Sequence, residues 1–497
     1  MGHLKFLLYV VAAAVAGVSA AAGFDPAGVG SMTSPAANLP WQSDRLLPSI
    51  TRPDAPATVP KQYQGPLSLA DLTDLALLMN PRTRQAWLAA RAEAAAVGIE
   101  DADDWPTITG LYSNRIGRLI SSTSGAPVPV QTFYGPSVSL SYTLFDFGQS
   151  AASSEAANFR LLAANLTQNR TLQEVATLVE QAYYRVLAFD YLVRASRDSL
   201  KNFETALDAT QRRRTSGLAT AGDEYRAETQ VGQARLVLTR NDGELSKARG
   251  QLASVVGLPV DYKLELKPVS DLPPVSAVAQ SMESLLEKAK QNRPDLMAAE
   301  ARAKAARATA EATSKAGLPT LSFVANYAQV NFTNGSPGCA ALNVAGCGGS
   351  GPGHQRPMQD VYQLGFNLSI PIFTGFKDTY SSRRAEEQAA QAESLRDQLL
   401  SATELEVWQS YYDLQTATSS VSSATSLVKS ATESASAAAA RYKAGVGNLL
   451  DFITAQQDDT NARVTQIQSY LDWYSALSRL NFAVGASDSE IVKTRGR

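Results

Sequence analysis

Histidine is nearly absent from this chain of 497 residues, which has only His3 and His354. Histidine is the usual general acid or base near neutral pH and a common metal ligand, so its scarcity counts against most enzyme chemistry. Carboxylates alone can catalyse, but no nucleophile–base pair or ligand cluster stands out, and no enzyme activity, cofactor or metal is expected. Cysteine is equally scarce. Cys339 and Cys347 sit close together in a Gly-rich stretch that also holds His354. In an exported chain such a pair is expected to form a local disulfide, and two thiols are too few to build a metal site. The formal net charge is only -2, so nothing recommends a nucleic-acid partner. Long apolar runs are also missing beyond the N-terminus. If this chain spans a membrane, it must do so with strands.

The N-terminus has an export pattern. Lys5 precedes an apolar run from Phe6 to Val18, followed by small residues near Ala20 and Ala22. The expectation is a signal peptide over residues 1–22; the run is short for the alternative, a membrane anchor. No cysteine follows that would carry a lipid. Residues 23–66 are rich in Pro, Ala and Ser and read as an extended leader.

What the chain does have is an internal duplication. Tyr183-Tyr184 returns as Tyr411-Tyr412, Gly217 as Gly445, Asp223 as Asp451, Leu252 as Leu480 and Gly257 as Gly485, each displaced by 228. Further upstream, Ser68, Pro81 and Pro106 return as Ser281, Pro294 and Pro319, displaced by 213. The spacing predicts a first repeat over 67–260 and a second over 281–485, joined by a linker at 261–280 and followed by a tail at 486–497. Each repeat starts with a helix. The first begins at Ser68, where Ser68 and Asp71 resemble a capping box, and is expected to run past Asn80-Pro81 to about Asp103.

Beyond Pro106 the apolar period becomes two. Ile108 and Tyr112, then Tyr134, Val138, Leu140, Tyr142 and Leu144, alternate with Ser and Thr. The second copy repeats this with Leu321, Phe323, Ala325 and Tyr327, then Tyr362, Leu364, Phe366, Leu368 and Ile370. The strand pairs predicted over 107–146 and 320–373 are long enough to cross a bilayer at a tilt, although a soluble half-buried sheet alternates in the same way. Four strands do not close a barrel, whereas three chains would supply twelve and remove every edge. The growth in offset from 213 to 227 places the extra residues in the second strand pair, around the two cysteines.

Long helical hairpins follow, over 148–257 and 375–485. From Leu172 to Thr210, steps of three and four pick out Leu, Val, Val, Ala, Val, Phe, Val, Ser, Leu, Phe, Leu and Thr, a sustained heptad seam. The second copy carries a smaller, Ala-rich seam from Leu400 to Ala438. A helix from Gly148 to Ser216 would be about 100 Å long. Each long helix ends in cations and a glycine, Gly217 or Gly445, and each returning helix carries an acid near its start, Asp223 or Asp451. The helix dipole alone can explain such acids.

Duplicated hairpins and paired strands, with Asn80-Pro81, the junctions Phe145-Asp146-Phe147-Gly148 and Ile372-Phe373-Thr374-Gly375, and the stretch from Tyr442 to Asp451, together resemble the TolC-like outer-membrane efflux family. The resemblance implies a mainly α fold with a membrane β-barrel: a homotrimer with a twelve-stranded barrel in outer-membrane lipid, continued by a twelve-helix coiled-coil tunnel in the periplasm. It implies a passive exit duct for efflux or type I secretion, joined through an adaptor protein to an inner-membrane transporter. Residue by residue, Asp223 and Tyr442 match the acid–tyrosine link that ties the closed periplasmic tip, and Asp451 matches the first of two acids ringing the pore entrance. Gly447 stands where the best-known member has an arginine, and Thr454 where it has the second acid. The expectation is a gate with fewer polar ties and a single ring of three carboxylates. Two other readings compete, a structural coiled coil and a periplasmic adaptor. An adaptor has one hairpin rather than a duplicated pattern, and a structural coiled coil has no need of four alternating strands.

Overall fold

In a computed structural model of the chain, the described residues are 34, 36–39, 60–63, 65–117, 131–267, 275, 280–334 and 359–485. The expected signal peptide, Cys339, Cys347 and His354 lie outside them. The repeat is visible in the element lengths. The first copy comprises α1 (Leu69–Met79), α2 (Pro81–Glu100), β1 (Thr107–Gly117), β2 (Gln131–Phe145), α3 (Gln149–Thr215) and α4 (Ala221–Val256). The second comprises α5 (Met282–Asn292), α6 (Pro294–Lys315), β3 (Thr320–Asn334), β4 (Gln359–Ser369), α7 (Lys377–Lys443) and α8 (Leu449–Val484). Both long helices have 67 residues and both returning helices 36. Among the described residues no helix is long and apolar enough to cross a membrane.

One compact unit draws its described residues from Met1–Ala94, Arg160–Arg302 and Ala392–Arg497. Its core is duplicated too. Leu72, Leu75, Val179, Leu252 and Val256 pack together in the first copy, and Leu285, Val407, Leu480 and Val484 in the second. Of the twelve seam positions in α3, nine are buried and Phe189, Leu200 and Leu207 are half-buried; in α7 ten are buried. The heptad reading therefore holds along the part of each helix where it was drawn. Part of the leader is also anchored here. The Trp87 indole donates to the Ser34 carbonyl (2.6 Å) and the Gln168 amide to the Leu39 carbonyl (2.9 Å).

The first helix does not run through Asn80-Pro81 as expected. Asn80 is extended (φ -68°, ψ 127°), and the chain restarts as α2 at Pro81. Proline's ring excludes the helical region for the residue before it, and Arg293 breaks α5 from α6 in the same way. The expected capping box is present, with the Ser68 N–H donating to Asp71 (2.9 Å) and the Asp71 N–H to Ser68 (3.3 Å).

These two breaks receive the ends of the returning helices. Gly257 and Gly485 end α4 and α8 in the left-handed region (φ 90° and 72°). A Cβ on Gly257 would lie 2.7 Å from the Met79 carbonyl oxygen, and one on Gly485 3.1 Å from the Asn292 carbonyl. The residue at each break then bonds the same carbonyl of the returning helix. The Asn80 amide donates to Val255 O (2.7 Å), and the Arg293 guanidinium to Ala483 O (3.1 Å). Orphan carbonyls at helix C-termini need such donors.

The second unit, Ala95–Phe159 and Ala303–Gln391, holds one antiparallel sheet in the order β1-β2-β3-β4. Its register lines up the apolar positions of all four strands. Ile108, Leu140, Ala325 and Leu364 form one cross-strand row, and Tyr142, Phe323 and Phe366 another. The opposite face carries Thr109, Ser139, Asn326 and Gln363, interrupted by the apolar Leu111, Val324, Val330 and Val361. On the edge strands the apolar face is bare, with Ile108 66%, Leu364 68% and Phe366 72% exposed, while Leu140, Tyr142, Phe323 and Ala325 on the two inner strands are half-buried. An apolar face of this extent is a mark of an interaction surface.

Gly135 permits the closest approach in the sheet. A Cβ there would lie 1.7 Å from the Gln329 carbonyl oxygen, whereas one on Gly110 would meet nothing within 4 Å. Gly135→Ala should therefore cut the yield of folded, protease-resistant protein severalfold, and Gly110→Ala should leave it unchanged. Equal yields would show that β2 and β3 can part at no cost.

Candidate functional site

The expected site residues cluster where each long helix turns back. In the first turn, Leu218 N–H bonds Arg213 O (2.8 Å) and Gly217 N–H bonds Arg214 O (2.9 Å); in the second, Val446 bonds Arg441 O (3.1 Å) and Gly445 bonds Tyr442 O (3.2 Å). Both are Schellman closures, which need a left-handed residue. Gly217 (φ 75°) and Gly445 (φ 79°) supply it without steric cost. Each turn then exposes one apolar side chain, Leu218 or Val446, both at 78%.

Asp223 and Asp451 occupy equivalent positions but have different neighbours. Thr220 caps α4, its hydroxyl accepting from the Asp223 N–H (3.2 Å). In return the Asp223 carboxylate accepts from the Thr220 N–H (3.0 Å) and hydroxyl (2.7 Å). These bonds, the backbone one first, hold the Asp223 carboxyl below its ordinary range. In the second copy Asn448 caps α8 by accepting from the Asp451 N–H (2.7 Å). No reciprocal bond closes a capping box there, and Asp451 is exposed.

Tyr442 is buried between the two repeats. Its hydroxyl lies 2.9 Å from Thr210 Oγ1. Thr210 already donates its one hydroxyl proton to Ala206 O (2.8 Å), so Tyr442 is the donor. The ring stacks on Phe452 at 5.5 Å and 15°. Arg213 also lies over the ring, its guanidinium carbon 4.2 Å from the centroid. That guanidinium also donates to the carbonyls of Tyr442 and Lys443, the open end of α7. Phe203, Ala227, Val231, Leu449 and Ile453 complete the packing.

The structure does not form the expected Asp223–Tyr442 link. The Asp223 carboxylate is engaged by the cap of its own helix, and the Tyr442 proton goes to Thr210. Nor does it leave the tip without an arginine. At Gly447 a Cβ would sit 3.1 Å from Tyr442 N and from Arg441 Cβ, so the tight turn disfavours a side chain there. Arg213 brings a guanidinium from the opposite hairpin instead. Sequence reasoning missed Thr210 and Arg213 as tip residues, although Thr210 is the last position of the heptad seam and Arg213 is in the last turn of α3. Among the described residues no group of acids, His or Cys could hold a metal ion.

A family model described as "Outer membrane efflux protein" matches residues 72–258 and 285–486, one segment per repeat. The chain is 27% identical over 427 residues to "Protein CyaE" of Bordetella pertussis, covering 86% of this chain and 85% of that protein. It is 24% identical over 444 residues to "Probable efflux pump outer membrane protein TtgC" of Pseudomonas putida, covering 84% of each. Its fold matches the Campylobacter jejuni CmeC outer membrane channel with a TM-score of 0.71 at 17% identity, covering 85% of this chain and 87% of that one.

Proposed function

The chain belongs to the outer membrane efflux protein family, and from that premise we propose that it is the passive exit duct of a tripartite efflux or type I secretion system. It acts in the outer membrane as a channel, and we assign it conduction rather than catalysis. The observation that carries this reading is the apolar face aligned across all four strands and exposed on β1 and β4, which a hydrocarbon layer covers. The sheet has two open edges, β1 and β4. Three copies joined edge to edge supply twelve strands and leave none. The duplicated hairpins then supply twelve helices to a periplasmic tunnel. An adaptor protein and an inner-membrane transporter engage the hairpin turns, where Leu218 and Val446 are exposed. A structural coiled coil or an adaptor accounts for the hairpins but leaves the sheet face uncovered.

Fractionation and detergent sizing test this directly. The expected result is a trimer in the outer-membrane fraction; a soluble periplasmic monomer would refute it.

At the turns we assign Tyr442 to the tie that closes the tip and Asp451 to the ring at the pore entrance. Gly217 and Gly445 shape the turns that carry them. Asp451 is the cleaner of the two acids to test, because its backbone cap comes from Asn448 and survives replacement of its side chain. Three carboxylates in a narrow mouth attract cations. Asp451→Ala should therefore move the cation-to-anion permeability ratio severalfold toward unity, measured as reversal potential across a KCl gradient. An unchanged reversal potential would remove Asp451 from the pore.

A further inference from the structure

The sheet carries almost no charge, and what it has is sorted by face. From Thr107 to Phe145 the sequence has no acid, and from Thr320 to Phe373 it has one, Asp360. Within the four strands the charged residues are Arg115 on β1 and Asp360 on β4. The register puts them on opposite faces. Asp360 shares the apolar face with Tyr362 and Leu364, where the Tyr327 hydroxyl (2.9 Å) and the Gln329 amide (3.1 Å) donate to it. Arg115 shares the other face with Thr109 and Ser139, and the remaining polar positions of that face are neutral Ser, Thr, Asn and Gln.

Arg115 is exposed, and among the described residues no carboxylate pairs with it. Gly135, diagonal to it across the β1–β2 ladder on the same face, has no side chain to offer. β1 leaves the helical part of the chain at Thr107 and ends at Gly117, so Arg115 stands at the loop end of the sheet. The segments that join β1 to β2 and β3 to β4 add Arg118, His354 and Arg356, and again no acid. A lone cation on a neutral polar face, with its one potential counter-charge held on the other side of the sheet, is left free to meet an anion from solution.

We propose that three copies of Arg115 form a binding ring for multivalent anions inside the barrel, near its outer mouth. The proposal rests on the trimeric duct above, in which the apolar face meets lipid and the face bearing Arg115 lines the lumen. Twelve strands about 4.8 Å apart, tilted by about 40°, close into a barrel about 24 Å across. An arginine projecting from that wall brings its charge within a Debye length of the axis, about 8 Å at physiological salt. Three guanidiniums at one height therefore act together on an ion in the lumen, and the low-dielectric wall focuses their field. Each can fork onto phosphate or carboxylate oxygens. The ligand class is a compact polyanion, a polyphosphate or a polycarboxylate. Asp360, on the lipid side of the wall and already engaged, leaves the charge of the ring uncancelled.

The test is single-channel recording of the full chain in planar bilayers of neutral lipid, with inorganic tripolyphosphate added to each compartment in turn. From one compartment it should block the wild-type current at a concentration about tenfold lower than from the other. Arg115→Gln should raise that blocking concentration by about tenfold, and Arg115→Lys, which keeps the charge, should restore most of the block. In a KCl gradient Arg115→Gln should also shift the reversal potential toward cations, opposite in sign to Asp451→Ala. A residue that only supports the strand would change conductance without that shift. A conducting trimer that tripolyphosphate does not block, or blocks equally after Arg115→Gln, would overturn the ring and leave the duct reading standing. Block lost with Arg118→Gln or Arg356→Gln but kept with Arg115→Gln would likewise overturn it and move the site to the joining segments. So would an Arg115→Gln protein with unchanged block and weakened binding to lipopolysaccharide vesicles, which would hand the arginine to the outer leaflet. A chain that neither trimerises nor conducts would instead overturn the reading on which the proposal rests.

Discussion

Replacing Arg293 with Met should lower the stability of the solubilised protein by about 3–5 kcal/mol, the range found when one partner of a buried ion pair is removed. Its side chain is only 3% exposed and forms a fork on Asp295 (2.9 and 2.6 Å) and a bond to Glu406 (2.5 Å). It also caps Ala483 O at the end of α8. Methionine fills the space but takes this donor from two carboxylates, Asp295 and Glu406, and one carbonyl, Ala483 O. Arg170, which stacks on Phe482 and lies 3.4 Å from Asp295, retains part of the pairing. Chemical unfolding followed by the helical circular dichroism signal would measure the loss. Asn80→Ala, the equivalent change in the first repeat, removes one neutral amide bond and should cost only about 1–2 kcal/mol.

The same cluster predicts a pH dependence. Burial pushes the Asp295 carboxyl up, but Arg293 and Arg170 outweigh it and hold the carboxyl below its ordinary range. A depressed acid contributes stability that is present above its unfolded pKa, near 4, and lost as the pH falls through the folded value. Asp295→Asn should therefore flatten the acid limb of the stability profile. In that background Arg293→Met should cost less than in the wild type, because fewer charges remain to be stranded.

How far the sequence could foretell these features depends on their range. The seams of α3 and α7 were legible because burial recurs every three or four residues along one helix. The apolar face of each strand was legible for a similar reason: alternation fixes which side chains share a face, although not the register in which the strands pair. The break at Asn80 was obscured because the helical pattern resumes at Pro81 after a single extended residue. Thr220 and Asp223 repeat the spacing of Ser68 and Asp71, so the cap that occupies Asp223 was also readable. The tie between Arg213 and Tyr442 was not. It joins residues 229 positions apart on helices of different repeats, and no period within either helix encodes it. The cluster of Arg170, Arg293, Asp295 and Glu406 is of the same kind.

Arg213→Ala should open the tip, and more strongly than any change at Asp223. The Arg213 guanidinium covers the Tyr442 ring and donates to two carbonyls at the end of α7, so its loss removes the strongest polar tie between the hairpins. Solvent screens part of this at a partly exposed site, and about 1 kcal/mol of closed-state preference per copy is a fair magnitude. Three copies together come to about 3 kcal/mol, roughly a hundredfold in the ratio of open to closed channels. Tyr442→Phe removes only the bond to Thr210, keeps the ring contacts with Arg213 and Phe452, and should act in the same direction with a smaller effect. Asp223→Asn should do little, because an amide oxygen can still accept from the Thr220 N–H. Single-channel conductance in planar bilayers, with uptake of a large antibiotic by whole cells, would rank the three variants. A channel that opens with Asp223→Asn but stays closed with Arg213→Ala would return the tie to the acid that the resemblance first suggested.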